Sequence, residues 1–370
     1  MISKPSQSSP DVIILGAGII GCSIARELAK QGALVRIYER HSEVAAEVTG
    51  ASIGVLSYSP SLNRPKAWHK LASSSIQQHR ALMQEFSRET DTGPMWHWIG
   101  RLNVSLNEKS TKKLEKRFQV EKENNFASEW MDPKALKEHG HALTHKIQGG
   151  IFYSDHGWVD PKNLTIAIEQ SAAKHGARFF YQQCVEKILV ERHTAVGIRV
   201  GKEKITAGHV VIAAGAWSAG LDPELECGVA PIKGQAIHIH EHKEQLQHIV
   251  FGNGVYLVPC RGGLTVGATH EHVGFNNDVT LKATTHLLNR AKELCPQLAS
   301  VEAKDVSAWS GLRPGTQNRV PWIGPSGKIK HLWWATGHYT HGILLAPITA
   351  KIISDGIVFR KETDLYTTLS

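Results

Sequence analysis

Residues 12–15, Val-Ile-Ile-Leu, run directly into Gly16, Gly18 and Gly21. No other feature of the chain limits its fold so strongly. A short run that is apolar at every position fits a strand buried on both faces of a parallel sheet. In a G-x-G-x-x-G series the first glycine permits a tight turn. The second lets backbone approach a pyrophosphate, and the third lets the next helix pack close to the strand. Residues 19–30 supply that helix, with Ile20, Ile24 and Leu28 at helical spacing. Its N-terminus offers unpaired N–H groups and a positive dipole end to phosphate. Residues 33–38 read as a second strand ended by Glu39, with Arg40 next to it. An acid at that point can accept hydrogen bonds from a ribose diol and repels a 2′-phosphate. The N-terminal part therefore predicts a Rossmann-like unit holding a dinucleotide on Gly16, Gly18, Ile19, Ile20, Gly21, Glu39 and Arg40.

The glycine series alone does not choose between FAD and NAD. Residues 207–218 form a second apolar strand that ends in Ala214, Gly215 and Trp217, small residues where chain can pass close to a cofactor. No second G-x-G-x-x-G occurs, which argues against a separate nicotinamide domain. After Glu39, residues 49–56 make a loop of small side chains: Thr49, Ala51, Ser52, Gly54, Val55 and Leu56. Such a loop permits close approach to a flat ring, although an ordinary strand-to-helix connection has the same composition. Val185, between Cys184 and Glu186, is a further candidate cofactor contact.

The 370 residues suggest two domains of ordinary size. Residues 1–83, 141–222 and 307–370 are assigned to a discontinuous FAD-binding domain. Residues 84–140 and 223–306 are assigned to a substrate domain on an antiparallel sheet, because residues 235–240 alternate strictly and two more short strands follow. The fold class is thus α/β plus α+β. The net charge of +8 is spread among interleaved acids and bases, and no aromatic-basic platform for nucleic acid is present. Cys22, Cys184, Cys227, Cys260 and Cys295 are odd in number and form no C-x-x-C, which favours reduced thiols in a cytoplasm. Residues 1–10 are polar and read as a loose tail rather than a signal peptide. Residues 343–359 are apolar but interrupted by Pro347, Lys351 and Asp355, which predicts an amphipathic helix and no transmembrane segment. His238, His240 and His242 alternate on one strand face, and a solvated face explains them without a metal.

Near the C-terminus, Arg313 stands between Gly311 and Pro314-Gly315, in what reads as a stiff turn. A planar guanidinium suits a carboxylate because it meets both oxygens. A structural arginine satisfying loop carbonyls is the alternative. Tyr256, on a strand, can offer its hydroxyl to a carboxylate or be a core tyrosine. Residues 337–347 read as a glycine-rich turn opening a helix, whose N–H groups suit negative charge on a reduced flavin.

These segments, together with 231–235, 256–259 and 266–269, resemble those of the glycine oxidases among the D-amino-acid-oxidase-type flavoproteins, the branch associated with thiamine thiazole synthesis. The resemblance spans nearly the whole chain. It implies a two-domain fold, non-covalent FAD, oxidative deamination of a small amino acid or amine, molecular oxygen as acceptor and a homo-oligomer. It also implies that Arg313 binds the substrate carboxylate, that Tyr256 lines the pocket, and that Gly337, His338, Tyr339, Thr340, His341, Gly342, Ile343 and Leu344 meet the cofactor. Two positions depart from the pattern. Thr340-His341 stand where the family often has arginine and asparagine, and His270 stands where methionine is found. With Ser52, His270 and Thr340 are expected to shape the substrate pocket. No residue stands out as a general base, so the substrate is expected to bind with a neutral amine and give hydride to flavin N5. The competing readings are a D-amino-acid dehydrogenase that passes electrons to a quinone or carrier, and a flavin-binding subunit without turnover.

Overall fold

The computed structural model describes residues 9–58, 66–91, 95–139, 142–221, 228–240, 246–260 and 262–360. The expected loose tail, Cys227 and His242 lie wholly or largely outside them.

A six-stranded sheet runs in the order Trp322–Pro325, Leu332–Thr336, His209–Ile212, Val12–Leu15, Val35–Tyr38, Arg178–Phe180. All its pairs are parallel except the first. Val12–Leu15 lies near the middle and is buried at all four residues, as a strand covered on both faces must be. The helix Ile19–Lys30 covers one face and packs against Pro161–Lys174 and Gly342–Phe359.

A second sheet of eight strands runs Val306–Gly315, Ala230–His240, Gly263–Gly267, Val255–Cys260, Ile249–Gly252, Arg101–Ser105, Gly149–Tyr153, Glu129–Met131. It is mixed rather than purely antiparallel, because Ile249–Gly252 and Arg101–Ser105 pair in parallel. Two expected boundaries also move. Gly149–Tyr153 and Val306–Gly315 pair within this sheet, so the cuts at 140/141 and 306/307 do not follow strand pairing. Alternation in sequence marks a strand but carries no information about which sheet it joins. One face of the sheet packs Leu102, Val104, Ile237, Val250, Leu257 and Val266 into a core with the helix Leu281–Leu294. The other face closes the cavity described below.

The C-terminal segment differs from expectation. Gly342–Phe359 is one helix that passes through Pro347, and Ile343 to Ala350 are all buried. It is an apolar core helix rather than an amphipathic one. It is long and apolar enough to cross a membrane by composition, yet most of that window is buried inside the fold. Proline at 347 cannot donate to the carbonyl of Ile343, four residues back. His79 takes over: its Nε2 lies 2.8 Å from Ile343 O and 3.1 Å from Leu344 O. Ser75 Oγ donates to Leu344 O at 2.6 Å.

Burial holds the His79 imidazole down to about 4 and that of His338 down to about 3. Both rings are neutral in the folded chain, whereas in the unfolded chain they charge below about 6.5. The unfolded state therefore binds more protons once the pH drops below that value. The stability present above pH 6.5 is lost progressively as pH falls toward the folded values. At pH 5 the loss is about 2 kcal/mol for each ring. The midpoint of chemical unfolding is expected to fall between pH 7 and 5, and His79→Gln, an uncharged donor, flattens that slope. An unchanged slope in His79→Gln would exclude His79 as a source.

Candidate active site

A cavity of about 390 Å³ lies between the two sheets. At one end it is walled by the glycine turn. Gly16 has φ +100°, and a Cβ there would sit 2.7 Å from Ala213 O, so only glycine fits where the two parallel strands end. Thr49 Oγ1 accepts from Ile19 N at 3.2 Å. Glu39 braces the turn, accepting from Ala17 N at 2.7 Å and from His41 N at 2.9 Å. Each carboxylate oxygen keeps a second lone pair for a ribose hydroxyl. Arg40 lies over the Trp217 ring at 3.8 Å.

Neither helix that ends at the cavity has a side-chain cap. The N–H groups of Ile20 and Gly21 therefore have no partner within their helix, whereas Gly342–Phe359 is preceded directly by a 3-10 turn at Tyr339–His341. Unpartnered donors beside a backbone-walled cleft, with an acid at its far edge, are what the diphosphate and ribose of a dinucleotide need. The residues present fit FAD.

At the other end the eight-stranded sheet forms the wall. Cross-strand pairing puts Gly234, Ala236, Tyr256, Gly311 and Arg313 on one face, and all five line the cavity. Arg313 sits in the strand Val306–Gly315, opposite Ile232, and not in the turn that its flanking glycines suggest. Its Nη1 donates to Thr269 O at 3.0 Å. A Cβ on Gly234 would fall 2.0 Å from Arg313 Nη2, so the glycine makes room for the guanidinium. Burial pushes the Tyr256 phenol up, and the adjacent Arg313 draws it back down. The hydroxyl stays protonated at neutral pH and is available as a donor. Tyr339 closes the rim in a left-handed backbone conformation, φ 53°, with its hydroxyl hydrogen-bonded to the His270 ring.

Of the positions expected at the cofactor or substrate, Gly16, Gly18, Ile19, Ile20, Glu39, Arg40, Thr49, Ala51, Ser52 and Val185 line this cavity. So do Ala214, Gly215, Trp217, Tyr256, Arg313, His338, Tyr339, Thr340, Gly342 and Ile343. Eight do not. Gly21 packs against Gly16 O, and Gly337 against Thr316. Gly54 abuts Val159 O, and Val55 and Leu56 pair with Trp158 and Gly157. The His341 ring meets Trp68, and Leu344 is core. His270 is exposed at the rim, behind Tyr339. These residues have the small size or the sequence position of cofactor contacts, but their neighbours are other parts of the chain. Gly234, Val48, Gln183, Cys184 and Ala268 line the cavity without having been expected. Only Gly234 carried a signal, since a lone glycine in an alternating strand marks a close approach. Among the described residues no three metal-binding side chains cluster. His238 bonds instead to Thr265 Oγ1, and His240 to Ser307 Oγ.

Comparison with known proteins agrees with this geometry. The FAD-dependent oxidoreductase family (DAO) matches residues 11–356. The chain is 30% identical to glycine oxidase of Pseudomonas aeruginosa, over 94% of each chain. It is 32% identical to the bifunctional protein ThiO/ThiG of a Nostoc species, over 96% of this chain and 54% of that one. The crystal structure of glycine oxidase from Bacillus cereus has a TM-score of 0.89 at 30% identity, covering 97% of this chain and 99% of that chain. A cavity built for a dinucleotide and a family match over nearly all of its length have one meaning: the chain belongs to the FAD-dependent oxidoreductase family and is an enzyme with FAD as its cofactor.

Proposed function

We propose that this enzyme oxidises glycine or another small amino acid or amine to the imine, which water hydrolyses to an oxo acid and ammonia, with oxygen reduced to hydrogen peroxide. One observation carries the reading: the nucleotide cradle at Gly16–Gly18 and the pair Arg313–Tyr256 open into the same cavity. FAD, when bound, supplies the two-electron acceptor for a hydride from the substrate Cα. Arg313 meets the carboxylate with two parallel N–H donors, and the Tyr256 hydroxyl adds a third. Fixing the carboxylate fixes the direction of the Cα–H bond. Tyr339, hydrogen-bonded to the His270 ring, bounds this end of the cavity.

No carboxylate among the described lining residues stands at this end. Glu39 and Glu47 belong to the nucleotide end. The His338 ring is buried, bonded to Thr349 Oγ1 at 3.0 Å, and held neutral. The substrate amine is therefore neutral before oxidation, and no protein base is required. Glycine oxidases are the relatives that support this substrate class. The four described cysteines are all free, which supports a reducing, cytoplasmic location. A homo-oligomer is part of the same proposal.

The test is anaerobic mixing of the holoenzyme with glycine, sarcosine and D- and L-amino acids, followed by air. Loss of the flavin absorbance with glycine or a small D-amino acid, and its return in air with peroxide, is the expected result. Loss without return identifies a dehydrogenase that uses another carrier. No loss with any of them overturns the substrate assignment and leaves a flavin-binding protein.

A further inference from the structure

The sheet face that bears Tyr256 continues to Arg101, a side chain that plays no part in the chemistry above. Tyr256 pairs with Phe251, Phe251 with Asn103, and Arg101 shares the Asn103 face two residues away. Arg101 is 1% exposed. One of its terminal nitrogens reaches Ser57 Oγ at 3.2 Å, while Nε and Nη2 have no hydrogen-bond partner among the described residues. Its guanidinium lies 4.3 Å from the Tyr153 ring and 4.9 Å from the Phe251 ring. Phe251 in turn stacks on Tyr256 at 5.2 Å. The charge is therefore no more than about 10 Å from the Tyr256 ring.

Its carboxylate neighbours, Glu121 and Asp155, offset part of its charge and have partners of their own. Glu121 is engaged by Arg117 Nε at 2.7 Å and by the Tyr153 hydroxyl at 2.8 Å. Asp155 is shared with Arg80, and the His156 ring is kept neutral by burial and by the two arginines. Arg80 is exposed and Arg117 part-buried, so Arg101 is the arginine of this group that lies wholly inside. Burial lowers the Arg101 guanidinium only to about 10, so it remains charged at neutral pH. A charge away from water is costly, and its field reaches further than that of a surface charge. Among the described residues, the other charged or titratable groups at the substrate end of the cavity are Arg313, Tyr256, Tyr339 and the neutral His338, with His270 and Arg319 at the rim.

We propose that Arg101 is a positioning residue for amine oxidation: its buried positive charge, seated behind Phe251 and Tyr256, favours the neutral form of the substrate amine and strengthens the hold on the substrate carboxylate. This rests on the amine-oxidase reading above. At about 10 Å, the bound on its distance from the Tyr256 ring, and an effective dielectric constant of about 20, a unit charge shifts such an equilibrium by up to about one pH unit.

The test is the pH profile of kcat/KM, together with acetate binding to the oxidised holoenzyme, followed by the flavin absorbance. In Arg101→Met the rise of kcat/KM with pH moves upward by up to about one unit, and acetate binds up to about tenfold more weakly. Arg101→Lys keeps the charge, and both readouts stay near wild type. Glu121→Gln removes a negative charge from the same cluster and moves the profile downward by about half a unit. A structural role predicts the opposite pattern: Met and Lys variants equally impaired with the profile unmoved, or Glu121→Gln shifting in the same direction as Arg101→Met. Either result overturns the proposal. If Arg101→Met does not fold, Glu121→Gln decides by the sign of its shift. If the wild-type holoenzyme oxidises no amine, the functional reading fails, and the acetate affinities still decide the role of Arg101.

Discussion

Arg313→Met is expected to lower kcat/KM for the amino-acid substrate about 10³-fold while the FAD content of the purified protein stays unchanged. The guanidinium is anchored by Thr269 O and accommodated by Gly234. Its free edge and Tyr256 are the donors at this end of the cavity. Methionine has similar length and fills the space, so the loss is that of the charged fork. Removing one partner of a buried, hydrogen-bonded charge pair costs about 4 kcal/mol, which corresponds to the stated factor. Arg313→Lys keeps the charge without the planar geometry and recovers only part of the loss. Because the carboxylate aims the Cα–H bond, kcat falls along with the rise in KM. Steady-state rates and the anaerobic rate of flavin reduction separate the two. Retention of activity within about tenfold in Arg313→Met would remove the carboxylate role. Gly234→Ala offers an independent check, since its Cβ would overlap Arg313 Nη2 at 2.0 Å. It is expected to imitate the loss without touching the arginine.

The parts of the site made from one short stretch of chain were legible in the sequence. Gly16, Gly18 and Glu39 line one cavity, as expected, because a strand, a turn and a helix fix their positions within about thirty residues. Arg313 and Tyr256 were found through resemblance, and their partnership depends on register. It exists because the strand Ala230–His240 pairs with both Val306–Gly315 and Gly263–Gly267, and the latter pairs with Val255–Cys260. No local pattern encodes that order. The same ignorance of pairing misplaced Gly149–Tyr153 and hid Arg101, whose neighbours come from residues 57, 121, 153 and 251. Gly54 shows the opposite limit. It does need to be glycine, with φ +80°, and the part of the chain that crowds it is Val159 O. Small residues report crowding without naming the neighbour. Pro347 lies inside the expected helix, and a single sequence does not show that a histidine from another helix takes up the carbonyl it orphans.

Gly21→Ala is expected to abolish FAD retention and most of the protein's stability, whereas Gly18→Ala weakens FAD binding and leaves the apoprotein folded. The difference follows from what each new methyl group meets. At Gly21 it would lie 2.0 Å from Gly16 O, a backbone atom held in the turn by its own positive φ. That contact cannot be relieved by a rotamer. The helix Ile19–Lys30 has to move away from Val12–Leu15, and its contacts with Pro161–Lys174 and Gly342–Phe359 move with it. Overpacking against fixed backbone in a core of this kind costs about 3 kcal/mol or more. The displacement also carries the N–H groups of Ile20 and Gly21 away from the place where a diphosphate binds. At Gly18 the methyl would lie 3.1 Å from Thr49 Oγ1, a side-chain atom that can turn aside. It would then point toward the cavity, where backbone has to come close to the phosphates, so the penalty falls on binding rather than folding. FAD content after purification, and unfolding midpoints measured with and without added FAD, distinguish the cases. Added FAD is expected to raise the midpoint of Gly18→Ala toward the wild-type value and to leave Gly21→Ala unrescued. If Gly21→Ala retains FAD with an unchanged midpoint, the helix has room to shift, and the third glycine does not set the distance between helix and sheet.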